Sequence, residues 1–155
     1  TADQESVTSE SDGSYEIQLQ PGTYNISMKK VINSVDAYTL EDEKIILTIG
    51  QEAQIRDFDL EKVSATVSGT TTFEGINIAN VSLEFEGERV APFRINSDET
   101  GFYTLELEPY NYTVTANLEV TEDGQNYTYT FSGFLNITTV PDDITYNIVL
   151  AREED

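Results

Sequence analysis

Ser11–Met28 reads SDGSYEIQLQPGTYNISM, and Asp98–Ala116 reads DETGFYTLELEPYNYTVTA. A shift of 88 positions lays Gly13 on Gly101, Tyr15 on Tyr103, Leu19 on Leu107, Pro21 on Pro109 and Tyr24 on Tyr112. Ile17 over Leu105 and Ile26 over Val114 keep the apolar character. In the first copy Tyr15, Ile17 and Leu19 alternate with Glu16, Gln18 and Gln20, the period of a strand with one buried face. Pro21-Gly22 pairs a fixed negative φ with a residue that tolerates positive φ, which predicts a type II turn and a return strand through Tyr24, Ile26 and Met28. In the second copy Tyr110 replaces the turn glycine, and a type I turn with Asn111 left-handed is expected to close the same hairpin.

Outward from the hairpins, Phe58–Lys62 (FDLEK) lies over Ile148–Arg152 (IVLAR) after a slip of two residues. A repeat of roughly 90 residues is the size of a small domain, not of a solenoid unit. The chain therefore divides into 1–62, the later part of one module, and 63–155, a complete one. In the second module alternating runs predict strands near Val63–Val67, Val81–Phe85 and Ala91–Asn96, then the hairpin, a long strand through NYTYTFSGFLNIT, and a last one over Ile144–Leu150. Gly133 interrupts the long strand and is expected to mark a bulge or bend. In the first module the strands beyond the hairpin are expected at Lys44–Ile49 and Ala53–Leu60, with Asn33–Glu43 a polar connection and Glu61-Lys62 a short linker between modules. The fold class is all-β: tandem Ig-like antiparallel β-sandwiches, the first incomplete at its N-terminal side. Counterparts of most of Val63–Ile95 are missing there. A longer array or strands from a neighbouring subunit would complete it, since an open half-sandwich leaves an edge unpaired.

Composition narrows the function. Of 155 residues, 29 are acidic and 8 basic, a net charge of −21, so no basic stripe exists to meet nucleic-acid phosphates. The charge reads as a solvated, self-repelling surface. No apolar run approaches membrane-spanning length, and the polar start TADQESVTSESDG is not a signal peptide but reads as an entry into the middle of a longer protein. With no Cys and no His, the common nucleophile–base pairs are missing and no disulfide braces the fold. Strand-borne Glu84, Glu86, Glu106 and Glu108 alternate with core positions and are expected to face solvent, so no catalytic carboxylate pair is assigned. Acidic groups gather at Asp36 with Glu41–Glu43, at Asp57 and Asp59, at Glu122-Asp123 and at Asp142-Asp143. None has the spacing of a calcium loop, so solvated loop acids are the better account and no cofactor is expected, Ca²⁺ being the one ion weighed.

Five Asn-x-Ser/Thr sequons fall at Asn25, Asn80, Asn111, Asn126 and Asn136. Each alternates with inward residues, so each is a candidate glycosylation site on an outer face. Tyr and Phe number 16, most on the inward phase. Phe102, Tyr110, Phe134 and Tyr146 are not clearly inward, and are where a neighbouring module or subunit would be sought.

SDGSYEIQLQPGTYNI resembles the third element of the carboxypeptidase regulatory-like modules, prealbumin-like β-sandwiches found in tandem on archaeal and bacterial surface proteins. VSATVSGT and IANVSLEF are similar to the family's first two elements. The resemblance implies an extracellular structural module of a surface-layer, stalk or filament protein, partnered by copies of itself or by neighbouring modules of a longer chain. It equally implies an alternative, a carbohydrate- or protein-binding accessory module of an enzyme or adhesin, with cell-surface glycans as partners. Related Cna B-type modules carry a Lys–Asn isopeptide bond, but no Lys occurs in 63–155 to form one.

Overall fold

The computed structural model describes residues 4–154, and among them the chain is all-β, without helix. The strands are β1 (Gly22–Ile32), β2 (Val35–Leu47), β3 (Glu61–Lys62), β4 (Ala65–Phe73), β5 (Ile76–Asn77), β6 (Ser82–Gly87), β7 (Phe93–Asn96), β8 (Phe102–Leu107), β9 (Asn111–Glu122), β10 (Gln125–Asn136), β11 (Asp142–Thr145), β12 (Ile148–Val149) and β13 (Ala151–Glu154). Two compact units emerge: Lys29–Thr39 with everything from Leu60 onward, and Leu40–Asp59 with the chain up to Met28.

The larger unit is a β-sandwich. One sheet runs β13-β10-β9-β6-β7, antiparallel throughout. The facing sheet is organised on β4, with β8 antiparallel to it and β11 and β12 parallel to it. Alternation places Ala65 and Val67 of β4 against Leu83 and Phe85 of β6, Tyr112 and Val114 of β9, and Tyr129 and Leu135 of β10 in one buried cluster. Tyr103 and Phe85 meet with ring centroids 6.0 Å apart. Beyond Leu150 the chain changes sheet: β12 lies beside β4, whereas β13 pairs with β10. There Arg152 lies over the rings of Phe73 (4.9 Å) and Tyr127 (4.8 Å), a cation held between two aromatic faces.

The strands expected in 63–155 are present, except that the last, expected over Ile144–Leu150, is broken at Tyr146-Asn147 into β11 and β12, and the expected hairpin is not a hairpin. β8 pairs with β4, whereas β9 pairs with β6 and β10 in the other sheet, so Glu108–Tyr110 is an arch from one layer to the other. Neither Gly22 nor Asn111 takes the left-handed conformation expected of the turn, and each begins a strand instead. An arch between sheets needs no two-residue reversal, so nothing forces positive φ there. The long strand also departs from expectation. β9 and β10 stay in register from Gln125↔Glu122 to Asn136↔Asn111 with no bulge at Gly133. Gly133 faces inward, where a Cβ would come 2.7 Å from the Phe131 ring and 2.8 Å from the Tyr146 hydroxyl. It is small so that Tyr146 can pack edge-on against Phe131 (6.3 Å).

The first sixty residues depart further. Asn33 and Ser34 both have positive φ (51° and 63°), closing a tight turn between β1 and β2, so the expected connection over Asn33–Glu43 is strand from Val35 on. Asp42, left-handed at φ 59°, lets the acidic run stay within β2. Tyr15–Gln20 and Ala53–Leu60, both expected to be strands, pair with no strand among the described residues. The first keeps its alternation, whereas in the second the apolar phase changes between Ile55 and Phe58, and a strand exists only where a neighbour completes its hydrogen bonds.

The β1–β2 turn region belongs to the sandwich unit. Ile32 and Ala37 are buried, and the Val63 amide donates to the Ala37 carbonyl (2.7 Å). Glu61-Lys62, expected as a linker, is the short strand β3 paired with Tyr38-Thr39.

Candidate functional site

The repeated stretch builds the same local device twice. Gly13 and Gly101 both sit at positive φ (84° and 79°), and each closes a turn onto the carbonyl three residues back, Glu10 (2.9 Å) and Asp98 (3.0 Å). The Asp98 carboxylate accepts from the Thr100 hydroxyl (2.7 Å) and the Thr100 and Phe102 amides, which holds its pKa below the usual range. Asp12 is lowered in the same direction by the Ser14 hydroxyl and amide. Further on, Tyr24 Oη donates to the Gln20 carbonyl (2.7 Å) and Tyr112 Oη to the Glu108 carbonyl (2.9 Å). These are tyrosine corners, in which the phenol ties an arch to the strand that leaves it. Of the repeated residues Tyr103, Leu107, Pro109 and Tyr112 are buried, Leu19 and Tyr24 are half-buried, and Tyr15, Pro21 and Gly22 are exposed.

Glu108 corrects the expectation that the strand-borne acids face solvent. β8 ends at Leu107, the alternation stops with it, and Glu108 lies buried under the β2 turn region. Tyr38 Oη donates to its carboxylate and Lys62 approaches to 3.8 Å. The hydrogen bond to that carboxylate, burial and its charge push the Tyr38 phenol up to about 12. On the same side of the unit Asn33 donates from Nδ2 to Asn136 Oδ1 and to the Ile137 carbonyl, both at 2.7 Å. Sequence reasoning assigned roles to neither Asn33 nor Tyr38, although Asn33-Ser34 between two alternating runs is a turn signal that could have found the first. Of the other acids, Glu84 pairs with Arg94, and Glu86 and Glu106 are exposed. Among the described residues no three acidic groups converge as metal ligands.

All five sequon asparagines, Asn25, Asn80, Asn111, Asn126 and Asn136, are exposed. Asn111 and Asn136 face each other across β9 and β10. They border an open groove of about 610 Å³ on the outer face of the β13-β10-β9-β6-β7 sheet, together with Glu86, Glu88, Thr113 and Phe134. Phe134 is 81 % exposed there, a full aromatic ring presented to water among amide and carboxylate groups. Of the other aromatics left open, Phe102 is exposed, Tyr110 packs edge-on to Tyr112 (6.3 Å), and Tyr146 is held by Phe131 and the Phe134 carbonyl.

No protein-family model matches the chain, and no curated protein matches it. Among solved structures it is similar to the Bacillus anthracis TIE protein, with a TM-score of 0.60 and 16 % identity over 92 % of this chain. The chain spans only 27 % of that protein's length, and the likeness is one of fold. No helix among the described residues is long and apolar enough to cross a membrane.

Proposed function

We propose that this chain is a non-catalytic structural segment of an extracellular surface protein of the carboxypeptidase regulatory-like type, a rigid bead in a stalk, surface layer or filament. The observation that carries the reading is the use of its chemistry: the polar groups taken out of water are consumed in holding the fold. Among the described residues the buried polar ones are Thr71, Ser97 and Glu108, and each is engaged. Thr71 Oγ1 donates to the Ile78 carbonyl (2.6 Å), Ser97 Oγ accepts from the Val81 amide (3.0 Å), and Glu108 is taken by Tyr38 and Lys62. Such groups brace a scaffold and leave no poised acid, base or nucleophile. The five outward asparagines and the net charge of −21 suit a hydrated surface, with glycans attached at sequons where they disturb no core contact.

Electron microscopy of native material tests the assembly, with continuous filaments or lattices expected and isolated particles counting against it. Intact-mass analysis tests the glycans, with added hexose-containing mass expected at two or more of the five sequons. A second reading draws on the Phe134 groove: an exposed ring flanked by Asn111 and Asn136 is suited to stack on a sugar face. Saturable binding on a glycan array, lost in Phe134→Ala, would favour a binding module over a spacer.

A further inference from the structure

Among the described residues, the smaller unit makes a side-chain hydrogen bond whose counterpart in the sandwich has a strand running beneath it. Tyr15 Oη donates to the carbonyl of Arg56 (2.9 Å). In the sandwich Tyr103 Oη donates to the carbonyl of Tyr146. The donors correspond by the shift of 88 and the acceptors by a shift of 90, the same slip that aligns Phe58 with Ile148. In the sandwich this bond passes over β4. Tyr103 is the cross-strand partner of Gly69, while the Tyr146 amide donates to Ser68 on the other edge of β4 (2.8 Å). Gly69 is bare where the bond crosses: a Cβ there would overlap the Tyr146 carbonyl and come 3.1 Å from the Tyr103 ring.

In the smaller unit the bond is made, and among the described residues no strand pairs with either segment. Tyr15 also meets Phe58 at 6.4 Å, so the two segments are held together at this point. Yet 14–20 and 51–60, the counterparts of the two strands flanking β4, lie in no sheet among the described residues. Ile55 is 90 % exposed. Segment 15–20 keeps strand-like alternation, Phe58 and Leu60 are the half-buried positions of the other, and each segment lacks the same neighbour among the described residues. Two strands separated by a third lie roughly 9.6 Å apart, twice the inter-strand spacing, which is a distance a tyrosine side chain and a hydrogen bond can bridge.

We propose that segments 15–20 and 53–59 form an acceptor slot for one incoming β-strand with the chemistry of β4. That chemistry is alternating Ala or Val with Ser or Thr, and a glycine beneath the Tyr15–Arg56 bond. The strand would pair on both edges, and its small apolar residues would cover the inner face of the unit. Charge supports this occupant. Glu16, Glu52, Asp57 and Asp59 lie in or beside the slot, and β4 (ATVSGTTTF) carries no acidic residue to oppose them. The inference rests on reading the smaller unit as a copy of the sandwich's β8–β12 portion, the module organisation proposed above.

The test uses the full chain, isotopically labelled, titrated with a synthetic peptide of the sequence Val63–Phe73, VSATVSGTTTF. Saturable amide shifts confined to 15–20 and 53–59, with at least about tenfold slower amide exchange there, are expected. A peptide with valine in place of its glycine should bind at least about tenfold more weakly, the loss expected from forcing a branched side chain under the bond. A second protein carries the same peptide joined ahead of Thr1 by a flexible Gly-Ser linker, which raises its effective concentration to the order of millimolar. Absence of protection at 15–20 and 53–59 in the tethered protein overturns the slot, as does equal protection by the valine version. Neither result bears on whether native material forms filaments, which microscopy decides separately.

Discussion

Two arches, Gly13–Tyr24 and Gly101–Tyr112, share a turn, a tyrosine corner and a cross-chain phenol–carbonyl bond, yet they live in different surroundings. Tyr103 is 2 % exposed and Tyr15 is 39 % exposed. Tyr112 is 1 % exposed, and Tyr24 is only half-buried. The difference is not in the repeated residues themselves. In the sandwich, β4 lies between β8 and β11–β12, and β6 lies beside β9. In the smaller unit β1 pairs with β2, but among the described residues no strand lies beside 14–20, 51–60 or the other edge of β1. Short-range hydrogen bonds form wherever the chain carries the right residues, whereas burial depends on strands that come from far away in sequence.

The widest gap between the arches should appear in their leucines. Leu107→Ala removes a fully buried side chain and should cost about 2–5 kcal/mol, while Leu19→Ala should cost under about 1 kcal/mol, both measured by urea unfolding. Equal costs would mean that the smaller unit has a core of its own. The corners come next. Tyr112→Phe removes one of two hydrogen bonds to the Glu108 carbonyl, the Tyr110 amide keeping the other (2.8 Å), and should cost about 0.5–1.5 kcal/mol in this buried site. Tyr24→Phe, with water able to replace the phenol at Gln20, should cost about 0.5 kcal/mol or less.

Tyr38 has a pH signature that sharpens the contrast, because its carboxylate partner lies at the second arch. Its phenol is raised from 10.0 to about 12, so the neutral form is favoured in the fold. That contribution is fully present below pH 10 and is lost as pH rises through about 12. Phenolate absorbance compared with Tyr38→Phe should place this tyrosine near 12, and Glu108→Gln should bring it down. The smallest difference is expected between the two turns. Asp12 and Asp98 are both lowered, so each favours the fold above the ordinary aspartate value of about 3.9 and ceases to as pH falls through its own lower one. Carboxyl chemical shifts followed through acid titration should show both below that ordinary value. A normal Asp12 beside a lowered Asp98 would break the equivalence of the turns.

Much of this molecule could be read before its structure was known. The alternation around Val81–Phe85, Phe102–Leu107 and Asn126–Asn136 marked strands and told inside from outside, because a strand's side chains change face at every residue. For the same reason the sequon asparagines Asn25, Asn111, Asn126 and Asn136 are exposed on their strands, while Asn80 is exposed in a bend ahead of β6. Partner choice was not legible. SYEIQLQPGTYNISM and FYTLELEPYNYTVTA both look like hairpins, since alternation on either side of a Pro-containing turn is common to hairpins and arches. Only pairing with β4 and β6 distinguishes them. Glu108 was misplaced because the phase of β8 was carried one residue past its end. Gly133 looked like a bulge because its reason for being small, Tyr146, lies thirteen residues downstream.

The amino-acid order alone settled what is decided within a few residues: the left-handed glycines, the phenols reaching back four positions, the face of each strand. Those contacts close short loops, and little chain entropy opposes them. Which edges meet was decided only by the folded chain: β4 beneath Tyr103, Tyr38 on Glu108, Asn33 against Asn136. Such meetings join residues dozens of positions apart, and each edge has several chemically similar suitors, so the packing of the whole sandwich selects among them.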